Sequence, residues 1–141
     1  MTFTDLTLDE LKDPVALLMK SFFTPTDASQ AAGRALVERL QLRKTDRDEP
    51  ISMKAASAQL EAIREWGVIR SRDRYAMLGK ISRPALVAHG NKDIVVIPIN
   101  AFLLAQHLPN AQLIMYPDAS HGAASQHADF FVEHVRLFLD A

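Results

Sequence analysis

The apolar residues of this chain follow two different patterns, and the change between them falls near Lys80. Before that point apolar side chains recur at helical spacing, and after it short continuous apolar runs alternate with helical stretches. The first pattern predicts helices over residues 8–24, 27–43 and 53–66. Pro14 lies inside the first of these and is able to delay its start, because proline is tolerated only in the first turn. The sequence thus divides into residues 1–80, which are helical, and residues 81–141.

The second part predicts a small parallel sheet. Residues 85–88 and 112–116 are apolar runs of strand length, and their continuous apolarity is typical of strands that are covered on both faces. Helices are predicted over 98–107, where Pro98 stands at the favourable first position, and over 126–139. A strand, helix, strand, helix order requires a parallel crossover connection. The fold class is therefore α/β, with a helical segment followed by a β-α-β-α unit.

Composition narrows the classes of function. The 141 residues carry a formal net charge of −1, which provides no overall field to attract nucleic acid or an anionic membrane surface. The chain has no cysteine, so disulfides and thiolate metal sites are excluded. No apolar stretch approaches the ~20 residues that a membrane span needs, and the N-terminus lacks the pattern of a signal peptide. We expect a cytoplasmic protein without nucleic-acid or membrane partners.

Each predicted strand ends in a loop that carries a side chain able to do acid–base chemistry. Asp93 follows the first strand and His121 follows the second. The carboxyl ends of neighbouring parallel strands lie at the same edge of a sheet, so we expect the two side chains to meet. Histidine is a suitable general base near neutral pH, and a carboxylate on its other ring nitrogen fixes the tautomer.

These residues also carry a family resemblance. The stretches 84–93, 108–113 and 117–122 resemble the C-terminal part of an α/β-hydrolase, and residues 8–66 are similar to the helical cap of that family. The resemblance implies that Asp93 is the catalytic acid and His121 the base of a Ser-His-Asp triad, which needs neither a metal nor an organic cofactor. It also implies a small-molecule acyl substrate under a cap, whose pocket would be shaped by four apolar residues: Met19, Phe22, Phe23 and Trp66.

The nucleophile of that family has no counterpart in this sequence. The family places its serine in Gly-x-Ser-x-Gly at a strand-to-helix elbow, and none of the serines here has that context. The resemblance therefore covers the later half of a protein about twice as long. We expect a chain of hydrolase lineage that is inactive alone. Two alternatives stay open: one half of a split hydrolase that a complementary half completes, or a non-catalytic module that forms a homo-oligomer through its sheet edge.

Several residues near the candidate pair have simpler interpretations. Asp93 alone would be explained by an Asx turn that ends the strand. Asp118 is a competing partner for His121, although its position three residues away is more typical of a turn. Ser120 adjoins His121, and adjacent residues rarely reach the geometry of in-line attack. His127 and His134 share one helix face but lack a third ligand at metal-site spacing.

Overall fold

The structure is a computed structural model that describes residues 13–49, 51–66 and 75–141. In chain order its elements are α1 (Pro14–Phe22), α2 (Asp27–Leu42), α3 (Met53–Trp66), a short 3-10 helix (Leu78–Lys80), β1 (Ala85–Gly90), α4 (Pro98–His107), β2 (Ala111–Tyr116), α5 (Ala123–Gln126) and α6 (Ala128–Leu139). The predicted order of helices and strands is confirmed for these residues. The expected helix start at residue 8 lies outside the described residues.

The first three helices, α1 to α3, begin where polar side chains bond the free N–H groups of a first turn. The Asp13 carboxylate accepts from the N–H groups of Val15 and Ala16, and Pro14 takes the first helical position of α1. The Thr26 hydroxyl caps α2 in the same way, and the Ser52 hydroxyl accepts from the first turn of α3. Proline therefore sets the start of α1, as the sequence allowed.

The two strands pair in parallel, with Ala85 opposite Ala111 and Gly90 opposite Tyr116. One face of this sheet packs on α4 through a cluster around Val87, and the other face packs on α5 and α6 through a cluster around Tyr116. β1 is thus covered on both faces, which agrees with its continuous apolarity, whereas Gln112 and Met115 of β2 remain exposed. Their C-terminal ends share one edge of the sheet, where the loops of the candidate pair begin.

The C-terminal helix differs from its prediction. The sequence predicts one helix over 126–139, but α5 and α6 are separated at His127, whose backbone lies outside the helical region. The His127 ring stacks on Tyr116, and its Nε2–H donates to the Pro117 carbonyl. These contacts hold the ring against the end of β2, which a continuous helix would not permit. Phe130 and Leu139 are apolar but exposed, because two strands cover only part of the apolar surface of α6.

Two side chains pack directly on the backbone of the glycine in α2. A Cβ atom at Gly33 would lie 2.7 Å from Sδ of Met19 and 2.8 Å from a ring carbon of Phe23. Such distances are well inside van der Waals contact, so a larger residue would displace the Met19 side chain and the Phe23 ring. The helix weakening that glycine causes, up to ~1 kcal/mol, is offset by the packing that it permits.

A second glycine joins the two strand ends. A Cβ atom at Gly90 would lie 2.3 Å from the carbonyl oxygens of both Ala119 and Ser120. We expect Gly90→Ala to lower the free energy of unfolding by about 1–3 kcal/mol, because the backbone at 119–120 must move away from β1. Urea unfolding followed by circular dichroism measures this change. Gly79→Ala is the matched control, since a Cβ there meets no atom within 4 Å of the described chain. Equal effects of the two substitutions would contradict the close approach.

Candidate active site

Asp93 is held by the backbone of its own loop. Its Oδ1 accepts from the N–H groups of Val95 and Val96 at 2.8 and 2.9 Å, and its side chain is 2% exposed. This is the Asx turn that the sequence offered as the simpler interpretation. The turn uses Oδ1 and leaves Oδ2 to face the loop after β2. Asp93 therefore ends the strand and presents a buried carboxylate oxygen at the same time.

His121 meets that oxygen. Its Nδ1 lies 2.9 Å from Oδ2 of Asp93, and a carboxylate only accepts, so Nδ1 carries the proton. The predicted meeting of the two side chains is confirmed. The imidazole side chain is 38% exposed, and its Nε2 makes no hydrogen bond to the described residues. The pair thus has a buried acid, an oriented ring and an accessible basic nitrogen, which is the arrangement a general base requires.

A second imidazole shares the carboxylate, and sequence reasoning assigned it no role. His89 Nε2 lies 3.4 Å from Oδ2 of Asp93 and 2.8 Å from the Val96 carbonyl oxygen. Because a carbonyl cannot donate, Nε2 of His89 carries a proton and stands between the two acceptors. His89 lies near the end of β1, and its side chain contacts the loop that follows this strand. The strand itself thus helps to fix the acid loop.

The loop of His121 is attached to the end of α1. The Ser21 carbonyl accepts from the His121 N–H at 3.3 Å and from the Ser120 hydroxyl at 2.7 Å, while the Phe22 carbonyl accepts from the Gly122 N–H at 2.9 Å. Ser120 is 2% exposed, and its hydroxyl is committed to this contact. It therefore presents no nucleophile to a substrate, in agreement with the sequence interpretation.

Three of the four residues predicted to shape a substrate pocket have described side chains, and these lie in two different places. Phe22 contacts His121 edge-on, with ring centroids 5.2 Å apart. Met19 and Phe23 approach Gly33 between α1 and α2, and Phe23 is 2% exposed. The side chain of Trp66 lies outside what the structure describes. Phe23 also borders a cavity of about 370 Å³ beside Asp93. The role of these four residues in substrate binding stays a prediction.

Asp118 is a turn residue that also joins two distant parts of the chain. Its φ of 48° places it in the left-handed region, which aspartate tolerates better than most residues. Its carboxylate accepts from the hydroxyls of Thr24 and Thr26, each at 2.6 Å. These two hydrogen bonds, with Thr24 first, hold the pKa of the Asp118 carboxyl below its ordinary value. No local pattern links positions 24 and 118, so this contact could not be predicted from the sequence.

His127 and His134, the pair considered as metal ligands, each have a hydrogen-bond partner within the protein. His134 Nδ1 lies 2.9 Å from the Tyr116 hydroxyl, and His127 is engaged as described above. Burial raises the pKa of Tyr116, so its phenol stays protonated near neutral pH. The described residues contain no group of three or more potential ligands that could hold a metal ion. They also contain no helix with the length and apolarity to cross a bilayer.

Comparison with protein families gives the context of this geometry. A family model described as the alpha/beta hydrolase fold matches residues 2–128. This chain belongs to the alpha/beta hydrolase fold family. The match confirms the resemblance seen in the strand-end motifs and the partial α/β-hydrolase fold predicted from them.

Individual relatives extend beyond this chain. An alpha/beta hydrolase fold protein from Chitinophaga pinensis is 33% identical with a TM-score of 0.84, and the match covers 99% of this chain and 50% of that protein. A pimeloyl-[acyl-carrier protein] methyl ester esterase from Nitrosomonas europaea is 31% identical over 65 residues, which are 46% of this chain and 26% of the esterase. A 2-hydroxy-6-oxo-6-phenylhexa-2,4-dienoate hydrolase from Rhodococcus sp. strain RHA1 shares the fold, with 21% identity, a TM-score of 0.59 and 47% of its length covered. The chain thus spans about half of these solved structures.

The lowered pKa of Asp118 predicts a pH-dependent contribution to stability. A carboxyl whose pKa is depressed on folding stabilises the native state above its unfolded pKa of about 3.9, and this contribution is lost as the pH falls through the folded value. Asp118→Asn should therefore lower the unfolding free energy at pH 7, and its difference from the wild type should shrink below about pH 4. Urea unfolding across pH measures this. Asp46→Asn is the control, since Asp46 has the same φ of 48° in an exposed loop. A difference that is constant with pH would contradict the assignment.

Proposed function

We propose that this chain carries the acid and base of a serine-type ester or acyl hydrolase and takes its nucleophile from outside these 141 residues. The observation that carries the proposal is the 2.9 Å contact between His121 Nδ1 and the buried Asp93 carboxylate, with Nε2 left accessible. Membership of the hydrolase family supports the same roles. The esterase relative supports ester cleavage as the reaction class.

The pair can act on a serine hydroxyl presented to Nε2 of His121. Nε2 would accept the serine proton as the oxygen attacks a carbonyl carbon, and the resulting imidazolium would be stabilised by the Asp93 carboxylate through Nδ1–H. The proton then passes to the leaving alcohol, and water cleaves the acyl-enzyme in the same manner. Backbone N–H groups would stabilise the oxyanion. The reaction is acyl transfer to water, and it uses no metal or organic cofactor.

The nucleophile is the component that this sequence does not provide. No serine stands in Gly-x-Ser-x-Gly, and Ser120, adjacent to the base in sequence, has its buried hydroxyl bonded to Ser21. The Chitinophaga structure contains as much chain again as the part that matches. A complementary hydrolase half of that kind is the partner we propose for the 141 residues, and a small-molecule acyl compound is the substrate of the completed site.

A second candidate function is self-association without catalysis. Among the described residues the sheet consists of β1 and β2, so each strand has an edge without a paired strand. Large apolar side chains are exposed on the neighbouring helix α4, including Phe102 at 51% and Ile99 at 50%. Such a surface is suited to burial against another chain. A second copy of this chain is the alternative occupant to a hydrolase half.

The base role is tested by restoring a nucleophile. The isolated chain should show negligible hydrolysis of p-nitrophenyl acyl esters. A chimera in which this chain replaces the matching half of the Chitinophaga protein should react with a fluorophosphonate serine probe. His121→Ala in the chimera should slow labelling by at least about 100-fold, because general-base assistance is lost. His107→Ala, at a helix end stacked on Tyr75, is the matched control and should have no effect.

Two outcomes would contradict this proposal. Rapid ester turnover by the isolated chain that disappears in His121→Ala would show that the nucleophile lies within the 141 residues. Labelling of a folded chimera at the same rate with and without His121 would show that the imidazole is not the base.

The two candidate partners are separated by the oligomeric state. If self-association is the function, light scattering of the purified chain should give twice the monomer mass of 15.7 kDa at micromolar concentration. Phe102→Asp should return the protein to a monomer, whereas Glu133→Gln, which alters an exposed ion pair on α6, should not. A chain that stays monomeric at all concentrations would contradict the dimer and leave the hydrolase half as the partner.

A further inference from the structure

We propose that Asp118 is a positioning residue for His121, because it fastens the loop that carries the imidazole to the chain segment that follows α1. The inference rests on the proposed function in treating His121 as the base. It concerns what holds the ring in place, which Asp93 alone does not decide. The Asp118 carboxylate itself is bonded to Thr24 and Thr26 and not to the imidazole of His121 or His89.

The contact is made by charge-assisted hydrogen bonds from two hydroxyls. Thr24 Oγ1 donates to Oδ1 of Asp118 and Thr26 Oγ1 donates to Oδ2, both at 2.6 Å. Bonds of this length to an ionised acceptor are about twice as strong as neutral ones. Both oxygens of the carboxylate are therefore used, and the side chain cannot turn toward His121. The position three residues before the base thus serves to anchor the loop.

A second set of hydrogen bonds links Thr24 back to Asp118 through two further side chains. The Thr24 N–H donates to Ser29 Oγ at 2.9 Å, and Ser29 Oγ donates to Oε1 of Gln126 at 2.7 Å. Gln126 in turn donates from Nε2 to the Asp118 carbonyl at 2.7 Å. The loop is thereby held at both of its ends, at Asp118 and at Gln126. His121 lies between these two anchors.

Burial of Thr24 and Ser29 makes these hydrogen bonds costly to break. Thr24 is 4% exposed and Ser29 is fully buried, so water has little access to the bonds that these two side chains make, whereas the bond from Thr26 to Asp118 is exposed. The His121 N–H and the Ser120 hydroxyl meet the Ser21 carbonyl just before the same segment. Loss of the Asp118 carboxylate would leave Thr24 without an ionised acceptor in a dry environment. The loop would then gain freedom to move relative to α1.

The Asp93 carboxylate has hydrogen bonds of its own, although the N–H groups of Lys92 and Ile94 also donate to the Ala119 carbonyl and the Ser120 hydroxyl in the loop of His121. Asp93 is fixed by Val95, Val96 and its own strand, none of which contacts Asp118. The contacts that α1 makes with the loop reach only His121 and its neighbours. Loosening the loop should therefore move the His121 ring more than the Asp93 carboxylate, whose Oδ1 is held within its own loop. The signature is a weakened Nδ1–H···Asp93 hydrogen bond in a protein that is still folded.

Nuclear magnetic resonance of the purified chain tests this directly. The Nδ1 proton of His121, assigned by its absence in His121→Gln, should give a low-field resonance in the wild type. Asp118→Gly keeps the positive φ but removes the carboxylate, and it should speed exchange of that proton with water by about tenfold or more. Asp118→Asn also tolerates this φ and retains side-chain hydrogen bonding, so it should restore slow exchange. Asp46→Gly makes the same change at an exposed aspartate that shares the φ of 48° and should leave the resonance unchanged.

Each outcome decides the inference. Wild-type exchange of the His121 proton in a folded Asp118→Gly protein would overturn it, since a merely structural aspartate lowers stability without moving the ring. If Asp118→Gly does not fold, Thr24→Val removes one donor and must show the same direction of change, and its failure to do so would equally overturn the proposal. The readout is independent of catalysis. Labelling of the chimera that ignores His121 would refute the proposed function and leave this test standing.

Discussion

The parallel pairing of β1 with β2 is the constraint on which the site depends. Because the two strands run in the same direction in matched register, their C-terminal ends lie at the same edge of the sheet. The loops that follow the strands must therefore pass each other closely. Gly90 permits this approach, since the backbone carbonyls at 119 and 120 occupy the place of a side chain. The 2.9 Å bond between Asp93 and His121 is the consequence. A residue inserted in either strand would separate the acid from the base.

The helical segment contributes contacts to the site. Backbone carbonyls at the end of α1 accept from the loop of His121, and the hydroxyls of Thr24 and Thr26 bind Asp118. The predicted division of the chain at residue 80 is crossed by these bonds, which join residues 21–29 to residues 118–126. That division stays a prediction about domains. The contacts themselves mean that the orientation of the candidate base depends on both parts of the chain.

The same fold leaves apolar surface that the chain does not cover. Two strands offer little area, so large side chains of α4 and α6 remain exposed although the sequence pattern favours their burial. A hydrolase half, as in the twofold longer Chitinophaga relative, or a second copy would bury this surface. The exposed Nε2 of His121 and the exposed apolar helices are thus two parts of one proposal, in which a partner provides both the nucleophile and the missing packing.

The sequence by itself determined the local elements and the identity of the pair. Continuous apolar runs specified β1 and β2, Pro98 specified the start of α4, and the loops after the strands specified Asp93 and His121, because these signals depend on neighbouring residues alone. Only the tertiary structure decided which side chains support the pair. The break at His127 comes from stacking on Tyr116, the shared carboxylate comes from His89, and the Asp118 anchor comes from threonines more than ninety positions away. Contacts of that kind leave no periodicity in the chain, since they arise when packing brings distant segments together.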